Sequence, residues 1–198
     1  MKLYYSPGAC SLSPHIVASE AGIPLELEKV DLKAHKTESG EDFYKISPKG
    51  YVPALKLDDG NILTEGPAIV QYLADQKPDA KLIPASGFAR YNVISWLGFI
   101  NSEIHKNFGP LFGAGSDELK ADAKAKVIKR FDYVNGELEG KHFLTGDSFT
   151  VADAYLFVMT TWAQHMKIAL PPNLHKFFVA VSQRPKVHAA MKEEGLVK

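Results

Sequence analysis

The hydrophobic pattern changes character once along the chain. Up to about residue 76, short period-two runs alternate with helical ones; beyond about residue 87 the apolar positions keep a period near 3.6. Lys2 to Tyr5 reads as a short strand, followed by the breaker segment Ser6-Pro7-Gly8-Ala9-Cys10. Ser11-Leu12-Ser13-Pro14 then opens a helix, with Ser suited to the cap and Pro to the first turn. Ile16, Val17 and Ala21 carry that helix to Gly22-Ile23-Pro24, a stop signal. Leu25 to Leu32 predicts a strand with one buried face. A charged stretch from Lys33 to Glu41, a short helix around Asp42 to Ile46 and the loop Ser47-Pro48-Lys49-Gly50 come next. Val52 to Leu57 and Asn61 to Thr64 flank Asp58-Asp59-Gly60, a strong hairpin signal. Thr64-Glu65-Gly66-Pro67 opens another helix, with Ala68, Ile69, Tyr72 and Leu73 on its apolar face. The order is β-α-β-α-β-β-α, a small α/β domain over 1–80.

After a linker rich in Pro and small residues, an all-helical domain is expected over 87–198. Tyr91, Ile94, Leu97, Ile100 (or Trp96), Ile104 and Phe108 mark one long helix, and Leu119, Ala123, Val127, Phe131, Val134 and Leu138 a second. Thr150 and Asp153 form a near match to a capping box ahead of Tyr155, Leu156, Met159 and Ala163. Leu174, Phe177, Phe178 and Val181 suggest a helix ending at Arg184-Pro185, and Val187 and Met191 a short final one. The fold class is α/β plus all-α.

Composition narrows the functions this frame can carry. The 198 residues hold 23 Lys+Arg against 23 Asp+Glu, and only three of the basic residues are Arg (Arg90, Arg130, Arg184). Zero net charge and scarce bidentate donors argue against a nucleic-acid partner. The N-terminus reads Met1-Lys2-Leu3-Tyr4-Tyr5 with no signal-peptide core, and no apolar run approaches the roughly 20 residues of a membrane span. A cytoplasmic protein with no membrane partner is expected. A single Cys cannot close an internal disulfide or build a thiolate metal site, and the seven His show no paired helical spacing, so no metal is expected.

Four places could carry chemistry. Cys10 lies near a helix N-terminus, where the dipole and free N–H groups favour a thiolate, and on a βα loop, where ligands gather; a small buried hydrophobe is the other reading. The position three residues on is Ser13, so Cys10 has no internal resolving thiol. Val52-Pro53 opens a strand, and a cis bond there would present backbone amide and carbonyl to a ligand; an ordinary trans Pro is the alternative. Glu65-Gly66 sets a carboxylate beside helix-start N–H groups, able to take an amine with one and a carboxylate with the other, or merely to compensate the dipole. His105 belongs to a polar stripe with Gly98, Asn101 and Ser102, a catalytic candidate or a surface residue.

Together these features resemble the glutathione transferase superfamily over the whole chain. Within it, Tyr4-Tyr5-Ser6-Pro7-Gly8-Ala9-Cys10-Ser11-Leu12-Ser13-Pro14-His15, Ser47-Pro48-Lys49-Gly50, Leu63-Thr64-Glu65-Gly66, Ser102-Glu103-Ile104-His105-Lys106 and Phe149-Thr150-Val151-Ala152-Asp153-Ala154-Tyr155 resemble the bacterial beta class most. The resemblance implies a thioredoxin-like glutathione-binding domain, a helical domain lining the pocket for a hydrophobic electrophile, glutathione as co-substrate, and a homodimer. It implies that Cys10 approaches the glutathione sulfur and forms a mixed disulfide with it. Val52, ahead of Pro53, would pair its backbone with the cysteinyl part; Glu65 would hold the γ-glutamyl amine and Gly66 the carboxylate. His105, with Ser102, Glu103 and Ile104 beside it, would reach the same tripeptide. Cys10, Ser11 and His105 would favour the thiolate. His35 stands where a Lys often meets the glycyl carboxylate, and Gly98 where an Asn often lines the site. The implied activity is conjugation, with thiol-disulfide exchange or peroxide reduction through Cys10 beside it; the alternative is a non-catalytic binding or regulatory protein of the same fold.

Overall fold

The computed structural model describes residues 1–113 and 115–198. They form two compact units, one of Met1–Ala85 with Gln183–Lys198, the other of Ser86–Ser182.

The first unit is built on a five-stranded sheet. Strand β1 (Lys2–Tyr5) is followed by helix α1 (Leu12–Ala21), β2 (Glu26–Asp31), β3 (Lys36–Thr37), α2 (Phe43–Ile46), β4 (Ala54–Lys56), β5 (Ile62–Thr64) and α3 (Gly66–Gln76). The sheet order is β3-β2-β1-β4-β5, with β1 parallel to β2 and antiparallel to β4. Side chains alternate across a strand, and the register sorts them into two half-cores. Leu3 opposes Leu55 and Tyr4 opposes Ala54 across β1 and β4. Tyr4 and Ala54 join Val30, Phe43 and Val52 against α2, with the Tyr4 and Phe43 rings 5.8 Å apart. Leu3 and Leu55 are left for the other face, and they are fully buried, as are Leu12, Ile16, Ile69 and Leu73 of the mutually packed α1 and α3.

Three details depart from the sequence reading. The charged stretch after Leu32 contains β3, two residues pairing Val30 with Thr37 and Asp31 with Lys36. In β2 the buried residues are Val30 and Glu28; Glu28 accepts from Lys2 Nζ and the Ser39 N–H, which lets a carboxylate occupy a position that period-two counting gives to a polar, outward face. The last helix, α9 (Pro185–Glu193), numbered after α4–α8 of the second unit, packs on α1 and belongs to the first unit, although sequence assigns all of 87–198 to the helical domain. The reason is a polar seam. Arg184 donates through Nε and Nη2 to both carboxylate oxygens of Glu20, at 2.7 and 2.8 Å, and Ser19 donates to the Lys186 carbonyl. The His15 ring is buried between Glu194 (3.0 Å) and Glu193 (2.9 Å).

The second unit is helical: α4 (Gly87–Phe99), a π-helical turn (Ile100–His105), α5 (Lys106–Phe112), α6 (Asp117–Glu137), α7 (Val151–His165) and α8 (Pro172–Ser182). The single long helix that periodicity predicts is thus widened in its middle, and Tyr91, counted on its apolar stripe, is 69% exposed while Val93 and Trp96 are buried. Helix α6 starts where Ser116 accepts from the Leu119 N–H. Helix α7 is buried along Val151–Thr160, as expected of a helix apolar all round. Its start rests on Asp153, fully buried, whose carboxylate accepts from the Thr150 N–H and hydroxyl (both 2.8 Å) and from the Leu144 N–H (2.9 Å). Burial pushes the Asp153 carboxyl up to about 6 against those hydrogen bonds. Among the described residues no helix is long and apolar enough to cross a membrane.

The seam between α1 and α9 carries a pH signature. Burial opposes charge on His15, but the Glu194 and Glu193 carboxylates outweigh it and hold the pKa above its ordinary 6.5. With the folded value raised, the stabilisation is complete below about pH 6.5 and is lost as pH rises through the folded pKa. His15→Gln should cost about 1–3 kcal/mol in weak acid and distinctly less in alkali. Denaturant unfolding at two pH values checks this; an equal cost at both would contradict it.

Candidate active site

In the first unit the site starts from the loop between β1 and α1. Ser11 is fully buried; its Oγ accepts from the Ser6 N–H and donates to the Ser6 carbonyl, both at 3.2 Å, drawing the loop into a closed turn. At Gly8 (φ 70°) the backbone is left-handed, a Cβ would lie 3.3 Å from Leu196, and the N–H donates to the buried Glu194 at 2.9 Å. This geometry corrects the expectation for Ser11. Its hydroxyl is committed to the loop, and what it offers Cys10 is its backbone N–H.

Cys10 Sγ donates to the Val52 carbonyl at 3.4 Å. The Val52-Pro53 bond is cis, so β4 begins with that carbonyl at the thiol. Cys10 retains some surface, yet burial pushes its pKa up to about 12. The N–H groups of Cys10 and Ser11 pull it down by less, and the charge of Glu65 adds to the rise. The helix start is therefore present but too weak to make a resting thiolate, which favours the buried-thiol reading of Cys10 over the thiolate one.

Glu65 precedes α3 with φ 71°, a backbone conformation that non-glycine residues rarely adopt. Its Oε1 receives Lys49 Nζ at 2.5 Å and the Tyr51 hydroxyl at 3.2 Å, and Lys49 also donates to Thr64 Oγ1. The Lys49 hydrogen bond holds the Glu65 carboxyl below its usual range, so it is ionised at neutral pH. Gly66 is the first residue of α3, and with Pro67 next it supplies the first helical N–H. His35 (φ 50°) stacks on Tyr44 with centroids 4.4 Å apart, its Nε2 3.2 Å from the Tyr44 hydroxyl. Its buried Nδ1 has no hydrogen-bond partner among the described residues. Gly50 makes room for that stack: a Cβ there would stand 2.5 Å from Tyr44 Cε1. Cys10, Val52, Pro53, Glu65 and Gly66 thus form one neighbourhood, with His35 on its own aromatic shelf.

In the second unit the π-helical turn carries every remaining candidate. His105 is half-buried; its Nδ1 lies 2.5 Å from the Tyr155 hydroxyl, which donates to Asn101 Oδ1 at 3.0 Å. Trp162 meets the ring edge-on at 4.9 Å and in turn contacts Phe108 and Phe112. Burial lowers the His105 pKa below 6.5, so the imidazole is neutral at pH 7. Three neighbours differ from expectation. Glu103 Oε2 accepts from Arg130 Nε and Nη2, at 2.9 and 2.6 Å, so its charge is already paired. Ser102 donates to the Gly98 carbonyl. Ile104 is completely buried in the core and presents no side chain to a ligand. Among the described residues no group of three or more His, Cys, Asp or Glu is placed to hold a metal. Sequence reasoning passed over Lys49, Tyr51, Tyr155 and Arg130 as partners; only the fourfold spacing of Asn101 and His105 hinted at their shared phenol.

Comparison with known proteins identifies the family. Residues 8–76 match the glutathione S-transferase N-terminal domain and residues 95–185 the C-terminal domain. The chain belongs to the glutathione S-transferase family. It is 46% identical to the glutathione S-transferase GstA of Escherichia coli O157:H7, over 99% of this chain and 100% of that protein. Its structure superposes on a sphingomonad glutathione S-transferase complexed with glutathione at a TM-score of 0.96 and 49% identity, and on the bacterial beta class enzyme of Sphingomonas chungbukensis at 0.94 and 48%, each over 100% of both chains. The chain is thus a glutathione transferase, with the two-part architecture expected of one.

The raised Cys10 pKa has a direct check. Only the thiolate alkylates, so iodoacetamide should modify native Cys10 far more slowly than free glutathione at pH 7. The rate should climb about tenfold per pH unit without a plateau below about pH 10. A plateau in the neutral range would contradict the assignment.

Proposed function

We propose that the protein conjugates glutathione to hydrophobic electrophiles, with the sulfur of glutathione, and not Cys10, as the nucleophile. One observation carries this reading: a neutral Cys10 thiol directed at the Val52 carbonyl, beside an ionised carboxylate that opens a helix. Glu65 receives the γ-glutamyl ammonium, and the Gly66 N–H, at the positive end of α3, receives the neighbouring carboxylate. The backbone of Val52 pairs with the cysteinyl residue. A neutral Cys10 S–H then turns from Val52 toward the bound sulfur as a donor, which favours the glutathione thiolate over its thiol. His105, neutral at pH 7, takes the thiol proton. His35 meets the glycyl end, and Ser102 remains a further contact. Trp162 and Phe112, the latter 52% exposed, offer apolar surface to an aromatic electrophile.

The same chemistry weighs against a main role in thiol-disulfide exchange. A thiol with a pKa of about 12 is almost wholly protonated at neutral pH, so a Cys10-glutathione mixed disulfide forms slowly and as a side reaction. Phe88 and Tyr91 stand 86% and 69% exposed on α4, an apolar face suited to a second copy in a cytoplasmic homodimer. The non-catalytic alternative predicts retention on immobilised glutathione with no turnover.

Two variants test the assignment with a chlorinated aromatic as electrophile. Cys10→Ala should keep conjugation within about tenfold of the parent, the worth of one hydrogen bond. His105→Ala should lose about a hundredfold or more, together with the fall in rate expected of the parent in acid as His105 protonates. Loss of conjugation in Cys10→Ala as deep as in His105→Ala would overturn the division of roles.

A further inference from the structure

The hydrogen bonds around His105 determine which of its two nitrogens can accept a proton. The Tyr155 hydroxyl has one hydrogen, and it goes to Asn101 Oδ1 at 3.0 Å. The phenol oxygen therefore faces His105 Nδ1 as an acceptor, and the hydrogen in that contact belongs to the imidazole. A neutral imidazole carries one N–H, which leaves Nε2 with its lone pair. The geometry points to Tyr155 and Asn101 as positioning residues that hold His105 in the Nδ1–H tautomer and present Nε2 as the proton acceptor.

Each part of the arrangement has a structural cause. Tyr155 is 2% exposed on the buried stretch of α7, so its phenol cannot turn to solvent. Asn101 and His105 are four residues apart within the π-helical turn, and both reach the same hydroxyl. Trp162, edge-on at 4.9 Å, borders the ring on another side. The chain also tolerates the charge change without rearrangement. When a thiol is deprotonated, its S–H bond breaks, its electron pair stays on sulfur and a new Nε2–H bond forms. The imidazolium still donates from Nδ1 to Tyr155, and Tyr155 still donates to Asn101. In the opposite tautomer, with the phenol donating to Nδ1, protonation at Nδ1 would force the hydroxyl to reorient. A network that needs no reorganisation on proton transfer is the electrostatic arrangement that catalysis favours.

This inference rests on the proposed role of His105 in taking the thiol proton, and its test separates the two. Nitrogen-15 NMR of the ligand-free protein, with the His105 signals identified by their absence in His105→Gln, should show a protonated Nδ1 and an unprotonated Nε2 at pH above the His105 pKa. Tyr155→Phe, which keeps the ring and removes the acceptor, should lose that preference. It should also lower kcat about tenfold with KM for glutathione unchanged. An Nε2–H tautomer in the parent, or an unaltered tautomer in Tyr155→Phe, overturns the inference. The expected tautomers in both proteins, accompanied by an unchanged kcat, uphold the positioning of the ring and instead remove His105 from the proposed reaction.

Discussion

The buried carboxylate of Glu194 holds together the parts of the first unit that matter for chemistry. One oxygen accepts the Gly8 N–H on the loop that carries Cys10, and the other faces His15 on the helix that follows that loop. A carboxylate with no exposed side-chain surface is stable only with such partners. The loop in turn closes on itself through Ser11 and Ser6, and its closure sets the Cys10 thiol against the carbonyl ahead of cis-Pro53. The end of the chain is therefore tied to the same loop as the thiol, which is why α9 groups with the thioredoxin-like unit and not with the helices that precede it in sequence.

That placement decides the character of Cys10. Two backbone N–H groups aim at its sulfur and would favour a thiolate, while the surrounding protein removes the water that a thiolate needs. Desolvation wins, and the thiol stays neutral. A neutral donor beside the head-group site of Glu65 and Gly66 suits a protein that activates a diffusible thiol better than one that relies on its own. The single cysteine, unable to form an internal disulfide, fits the same division of labour.

Much of this architecture was legible in the chain. Asp-Gly at the hairpin, Gly22 at a helix end and Thr150 with Asp153 at a helix start are local signals whose physics needs few neighbours, and each lies where the pattern puts it. The Cys10, Val52-Pro53 and Glu65-Gly66 features also stood out, because each is an uncommon residue at a loop-to-element junction. What stayed hidden depends on long-range partners. Glu28 looked solvent-facing until Lys2 and Ser39 supplied its hydrogen bonds. The π-helical turn leaves the apolar period nearly intact, and Tyr155, counted as one apolar residue of a buried helix, is also the polar partner of His105. Burial of a titratable group is a tertiary property, so no spacing rule could show that the Cys10 thiol resists ionisation.

The most direct test of the account is the ultraviolet absorbance of thiolate, followed on adding glutathione to the parent protein and to Cys10→Ala at neutral pH. The account predicts no thiolate signal from the ligand-free parent, and a signal on saturation with glutathione that persists, at a somewhat higher apparent pKa, in Cys10→Ala. A thiolate signal in the ligand-free parent that titrates in the neutral range and vanishes in Cys10→Ala would contradict it.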